Sequence, residues 1–494
     1  AGTVYVTVDN HRENDYAAYA WVSTDFGRTF RAMTGGLGER IVRTLTEDTR
    51  NRDVLYIGSE DGIYLSLDRG TTWRKLQGDN FPNVRVDELT IHPRDNALIV
   101  ASHGRSIWVL DDLAPIQEYS AAQRVATSTL FTPAPALEWK YKDDRNDEFW
   151  GHQTFIGENP PVEAVLTMHV QGTPQAMSVR VRQGNALVRE LEVPAARRAA
   201  GLQQICWDLR SAPIRTAAPA EAGGRGGPGG GGGPGGGGAG GRARAIEGMP
   251  TPLPSAGYQA SNPCRASGGP GGGFGGGAGG NAGPYVAPGE YTVALVVDGT
   301  EVSSKTLRVV MDPKVSLTGE ARVAYDGFLR DLHAQQQAGA DVAASLTALA
   351  NPMATVKARL DSMPAVPEAT KSQFTALAQA FDSVRVKFGV APGRASGAAA
   401  AAGGPPAGGG GGGGAAARLG AGAGANADVL ARVGQIKGLV AGIWETPSEG
   451  SRKQAAAAVA DLRAAMTEAN TVLQRARALE SALATHGLSL NAAR

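Results

Sequence analysis

One eight-residue phrase occurs twice near the N-terminus. Ser23-Thr24-Asp25-Phe26-Gly27-Arg28-Thr29-Phe30 and Ser66-Leu67-Asp68-Arg69-Gly70-Thr71-Thr72-Trp73 both read Ser-x-Asp-x-Gly-x-Thr-aromatic, 43 residues apart. Each follows an apolar run, Ala20-Trp21-Val22 or Ile63-Tyr64-Leu65, so strand, polar turn and aromatic read as a hairpin. The Asp side chain can accept from turn amides, and Gly supplies a φ > 0 position without steric cost. The Thr hydroxyl can close the loop. Phe30 and Trp73 are expected to fold between neighbouring sheets, each contributing roughly 1.5–3 kcal/mol or more by burial. Asp25 and Asp68 are therefore turn-forming rather than catalytic residues.

The spacing is about that of one β-propeller blade. More of the unit repeats than the phrase. Val4–Val8, Val54–Gly58 and Leu98–Ser102 are β-rich runs, each followed by a second strand. The third unit replaces the phrase with Asp111-Asp112-Leu113-Ala114-Pro115, and the repeat stops. Residues 1–115 are expected to form a partial propeller of two to three blades. A closed propeller needs at least about four, so further blades are expected in cis or from another chain.

A net charge of +1 on 494 residues gives no footprint for nucleic acid or an anionic membrane surface. No run approaches ~18 apolar residues, so no transmembrane helix is expected. Cys206 and Cys264 flank a Gly-rich tract and belong to no CxxC motif, so no metal is expected. Either a disulfide pinning the loop or two free buried thiols fits this spacing. No Walker loop, Ser-His-Asp order or metal-ligand spacing is present, and no cofactor is expected.

Residues 116–157 read as a linker. Alternating segments such as Val165–Val170, Met177–Arg182 and Leu187–Val193, with Gly184-Asn185 as a hairpin turn, indicate a β-sandwich over 158–312. A Gly-rich insertion at 222–283 cannot bury enough apolar surface to order. From Gly319 the period becomes 3.6, and four amphipathic helices, one of them with Val323 on its apolar face, suggest an antiparallel bundle over 319–494. A Gly/Ala-rich linker at 392–426 interrupts it. The expected fold is multidomain, β then α.

The two phrases match the Asp-box of bacterial sialidases, sortilin-type receptors and related propellers. Together with Ser102-His103-Gly104-Arg105-Ser106-Ile107-Trp108-Val109-Leu110-Asp111-Asp112, Asn159-Pro160-Pro161 and Trp207-Asp208-Leu209-Arg210, they make the chain resemble the C-terminal half of large bacterial sortilin-like (BNR-repeat) proteins, often labelled glycosyl hydrolase. That resemblance implies an Ig-like sandwich similar to the flagellar hook-cap type after the propeller, then helices. It also implies export to the periplasm or beyond, an oxidising compartment that favours a Cys206–Cys264 disulfide. The implied function is binding of a peptide or carbohydrate ligand.

Candidate ligand-binding residues are His103 and Arg105, a His and an Arg beside a Gly at a strand end, with Asp87 and Glu88. A glycosidase would need two suitably spaced carboxylates on separate blades, for which Asp48, Glu60, Asp61, Asp87 and Glu88 are the candidates. Its catalytic residues would otherwise lie in the missing blades. A structural role in envelope assembly is the third alternative.

Overall fold

The computed structural model describes residues 2–76, 81–122, 126–139, 160–216, 264, 280–317, 319–360, 362–393 and 428–491. The chain divides into two compact units, one built on Ala1–Leu209 and Pro288–Asp312, the other on Pro313–Arg494 with Arg210–Gly231 and Gly273–Ala287. Two stretches inside the expected sandwich range thus belong with the helices. The Gly-rich tracts expected at 222–283 and 392–426 lie almost wholly outside the described residues.

The first unit opens with three antiparallel sheets. The first contains β1 (Val4–Val8), β2 (Tyr19–Ser23) and β3 (Arg31–Ala32). The second runs β4 (Val42–Glu47), β5 (Leu55–Ser59), β6 (Gly62–Ser66) and β7 (Arg74–Leu76). The third contains β8 (Val86–His92), β9 (Ala97–Ser102) and β10 (Ile107–Leu110). Val22, Met33, Leu55, Ile57 and Trp73 fill the seam between the first two sheets. Tyr56, Ile63, Val86, Leu98 and Leu113 fill the next.

The two eight-residue turns are superimposable in their bonding. In the first, Ser23 Oγ donates to Asp25 Oδ1 (2.8 Å) and accepts from the Gly27 amide (2.8 Å). Asp25 also accepts from the amides of Arg28 and Thr29 and from Thr29 Oγ1 (2.7 Å). The second repeats each bond through Ser66, Asp68, Gly70, Thr71 and Thr72. Gly27 and Gly70 have φ of +84° and +75°, as the turn requires.

The aromatics that follow are not equivalent. Trp73 is 4 % exposed and lies against the first sheet, whereas Phe30 is 50 % exposed. The expectation that both enter a seam holds for Trp73 alone: Phe30 belongs to neither of the apolar clusters that join the three sheets. Gly35 and Gly36, in the turn that follows β3, make the approach to the second Ser-x-Asp turn feasible. A Cβ on Gly35 would sit 2.3 Å from the Thr71 carbonyl oxygen, and one on Gly36 2.9 Å from that of Trp73.

The stretch read as a linker carries regular structure: α1 (Ala114–Ala122), β11 (Thr129–Leu130) and β12 (Ala136–Glu138). Asp48, Asn96 and Gln117 anchor α1 to the sheets. Gln117 Nε2 donates to both Asp48 oxygens (3.0 and 2.9 Å) and to Asn96 Oδ1 (2.8 Å). The two strands then join two further sheets. One has the order β11, β13 (Ala164–Val170), β16 (Gly201–Trp207). The other has the order β12, β18 (Thr300–Met311), β17 (Gly289–Val297), β14 (Met177–Gln183), β15 (Ala186–Glu192), with β12 parallel to β18. Trp207 and Tyr291 meet edge to face across them, ring centres 5.7 Å apart, the favoured aromatic geometry. Cys206 is disulfide-bonded to Cys264.

The second unit holds α2 (Gly319–Leu360), α3 (Glu368–Lys387), α4 (Val429–Ile443) and α5 (Glu449–Ala484) around one core that includes Leu346, Phe374, Phe381, Val433 and Leu462. Val323 is 68 % exposed and lies outside that core. The side chains of Asp428 and Ser448 cap α4 and α5 by accepting the amides of Ala431 and Ser451, satisfying donors the helix cannot. Among the described residues no helix is long and apolar enough to cross a membrane.

Candidate functional site

The two ends of the N-terminal sheets differ in chemistry. The Ser-x-Asp turns and Asp48 occupy one end. The opposite end carries a row of charged side chains, and the strand geometry explains why they collect there.

In each sheet the residue after the homologous strand is polar: Asp9 after β1, Glu60 after β5 and His103 after β9. The neighbouring strands β4 and β8 each carry an irregularity at the same place. The pairing steps from Val42 to Thr44 in β4 and from Val86 to Glu88 in β8, leaving Arg43 and Asp87 as the extra residues. A bulge re-aims one side chain and ends the local ladder. Here it turns Arg43 onto Glu60 (Nε to Oε1, 2.6 Å) and Asp87 onto His103 (Oδ2 to Nδ1, 3.0 Å). The second and third sheets thus build the same kind of pair with the basic and acidic residues exchanged between the two strands.

Cross-sheet contacts join the pairs into one row. Arg43 also bonds Asp9 of the first sheet, which His11 meets at 2.6 Å. Arg85 donates to Asp87 and stands 3.9 Å from Glu60. Beside the row, Lys75 reaches Asp61 at 3.3 Å, and the Arg40 guanidinium stands 5.2 Å from the Tyr64 ring centre. The order across three sheets is His11, Asp9, Arg43, Glu60, Arg85, Asp87, His103.

Asp9 and Asp87 of this row are held in the charged state. Burial opposes ionisation of Asp87, but hydrogen bonds and charge from Arg85 and His103 outweigh it and lower its pKa. At Asp9 the burial effect is outweighed by His11 and Arg43, and at Asp61 by Ser59, Tyr64 and Lys75. Burial pushes Asp111 and Asp112 the other way, but they lie at the turn end, where Asp112 accepts the Ala114 amide (3.0 Å) at the start of α1.

Of the residues singled out in the sequence, Asp87 and His103 come together in the row and Glu60 joins them. Arg105 lies in the same turn, exposed, with its carbonyl accepting from Trp108 Nε1 (2.8 Å). Glu88 follows the bulge and stays in the ladder, near Thr90 Oγ1 (3.5 Å). Asp48 is buried at the far end, accepting from the amides of Arg50 and Asn51 as well as from Gln117. Asp9, Arg43 and Arg85 escape sequence reading; their shared signal is position relative to a strand end, which needs the register. Among the described residues no group of three or more His, Cys, Asp or Glu side chains could hold a metal ion.

Residues 18–145 match the family model described as sortilin, neurotensin receptor 3. The charged row and the first two seams therefore lie largely inside a region similar to sortilin. No curated protein matches the chain.

Proposed function

We propose that this chain is part of an exported, sortilin-like propeller protein that binds a peptide through the charged row. The three N-terminal sheets are read as blades. The two following sheets are an Ig-like sandwich and the helices an accessory bundle, neither of which touches the ligand. Additional blades, in cis or from another chain, complete the ring; the half-exposure of Phe30, where its counterpart Trp73 is buried, supports that reading.

The observation that carries the binding reading is the repeated bulge. Two strands spend ladder hydrogen bonds to present Arg43 and Asp87 at equivalent places, and bulges cluster where a side chain must be aimed. A row of alternating basic and acidic side chains complements an extended chain bearing both signs, and such complementarity sets specificity and encounter rate. Glycoside hydrolysis asks for something else: a carboxyl kept protonated near neutral pH as general acid. Asp9, Asp61 and Asp87 are driven the opposite way.

A random dodecapeptide display library panned on the purified protein tests this. Selected peptides should carry both charges, bind more weakly as salt rises, and lose about tenfold or more in affinity to Arg43→Ala and Asp87→Ala, in line with truncated interfacial charge pairs. Selected peptides that bind both variants as tightly as the wild type would overturn the assignment to this row.

A further inference from the structure

The helical unit contains a buried cation that plays no part in the reading above. Lys437 of α4 is 3 % exposed. Its Nζ donates to Gln336 Oε1 (2.8 Å) and approaches His333 Nδ1 (3.0 Å), both on α2. His333 Nε2 is 3.0 Å from the Ala212 carbonyl oxygen. A carbonyl can only accept, so Nε2 carries the ring proton and Nδ1 is left to accept from the lysine. Burial, reinforced by the charge of Lys437, holds His333 down to about 4, so this partner is neutral. Lys437 therefore rests on two neutral acceptors and, among the described residues, pairs with no carboxylate. An ammonium has three donors, and a buried charge is strongly disfavoured until something of opposite sign faces it.

Beside Lys437 is a cavity of about 20 Å³, lined also by Arg210, Gly283 and Gly438. That is room for about one small ion. The Arg210 guanidinium stands 3.8 Å from the Tyr285 ring centre and donates to the Gly283 carbonyl (3.1 Å). The wall is fixed by close backbone contact: a Cβ on Gly283 would lie 2.3 Å from the Ser211 carbonyl oxygen, and one on Gly280 2.7 Å from the backbone of Gly434. By contrast, a Cβ on Gly438 would meet nothing within 4 Å. Two cationic residues thus line a preformed space of ionic size.

We propose that this cavity is a binding site for a small monovalent anion, a halide ion or a carboxylate no larger than formate, held between Lys437 and Arg210. The test is thermal unfolding of the full chain at constant ionic strength, with sodium chloride or sodium formate replacing sodium gluconate, whose anion is too large to enter. The transition of the helical unit should rise by about 3 °C for each tenfold increase of chloride or formate above its dissociation constant. Lys437→Met should abolish that increment. Gln336→Glu builds a carboxylate into the lysine's surroundings and should abolish it as well, which keeps the test decisive if the first variant does not fold. No increment in the wild type, or the same increment in wild type and a folded variant, would overturn the site.

Discussion

Trp73 donates its indole N–H to the carbonyl of Met33 at 2.9 Å, across the seam between the first and second sheets. The ring also contributes apolar area to that seam. Trp73→Ala should cost about 3–5 kcal/mol, the usual range for emptying a buried aromatic site, whereas Phe30→Ala should change stability by about 1 kcal/mol or less, since half the ring already faces solvent. Urea unfolding of both variants checks the contrast; equal losses would mean that Phe30 packs in the same way.

The Ser-x-Asp turns should be the acid-sensitive part of the sheets. The Thr29 hydroxyl and amide, then Ser23 and Arg28, hold Asp25 down to about 2, with burial a smaller opposing effect. A carboxylate whose folded pKa lies below its unfolded value stabilises fully above the unfolded value, and that contribution fades as pH falls through the folded one. The window here is about pH 4 down to pH 2. Asp25→Asn should lower the urea midpoint at pH 7 and flatten its fall across this window. A variant with the wild-type slope would show that Asp25 plays no part in it.

Cys206 and Cys264 are 58 residues apart in sequence. Closing a loop of that length in the unfolded chain stabilises by roughly 4 kcal/mol in the chain-entropy picture. Reduction with dithiothreitol, or Cys264→Ser, should therefore lower the unfolding temperature of the first unit and leave that of the helical unit unchanged. Calorimetry resolves the two transitions, and a shift confined to the helical transition would contradict the assignment.

Lys437 makes stability rise with alkalinity. Burial first, and the charge of Arg210 second, hold its pKa down to about 8. Between that value and the unfolded lysine, the unfolded chain binds more protons, so stability grows with pH through the window from about 8 to 10.5 and by at most about 3 kcal/mol. Measured in gluconate, Lys437→Met should lack this rise. Chloride should reduce it in the wild type, because a bound anion restores the charged form.

How much of this was legible in the chain depends on the range of each contact. The Ser-x-Asp turns are readable because every bond lies within eight residues, from Ser23 to Phe30 or Ser66 to Trp73. The unlike fates of Phe30 and Trp73 are not, since each is decided by the neighbouring sheet. Asp87 and His103 stand out as residue types, but their partnership with Arg43 and Glu60 rests on bulges that only the register reveals. The same bulge separates Asp87 from Glu88, adjacent in sequence but divergent in surroundings. Lys437 left a fainter trace: it shares a helical stripe with Val433 and Val440, a polar residue at a core position.

The Trp73 seam also has a direction. One sheet supplies the ring and the turn after β3 of the other supplies the backbone socket at Gly35 and Gly36, so the contact is not its own mirror partner. A two-fold axis through it would set ring against ring and socket against socket. Contacts of this head-to-tail kind generate either a closed circle or an open series, and never an isolated symmetric pair. Any further sheet that joins this array through the same contact must therefore enter in one orientation, and curvature alone decides whether the series meets its own beginning.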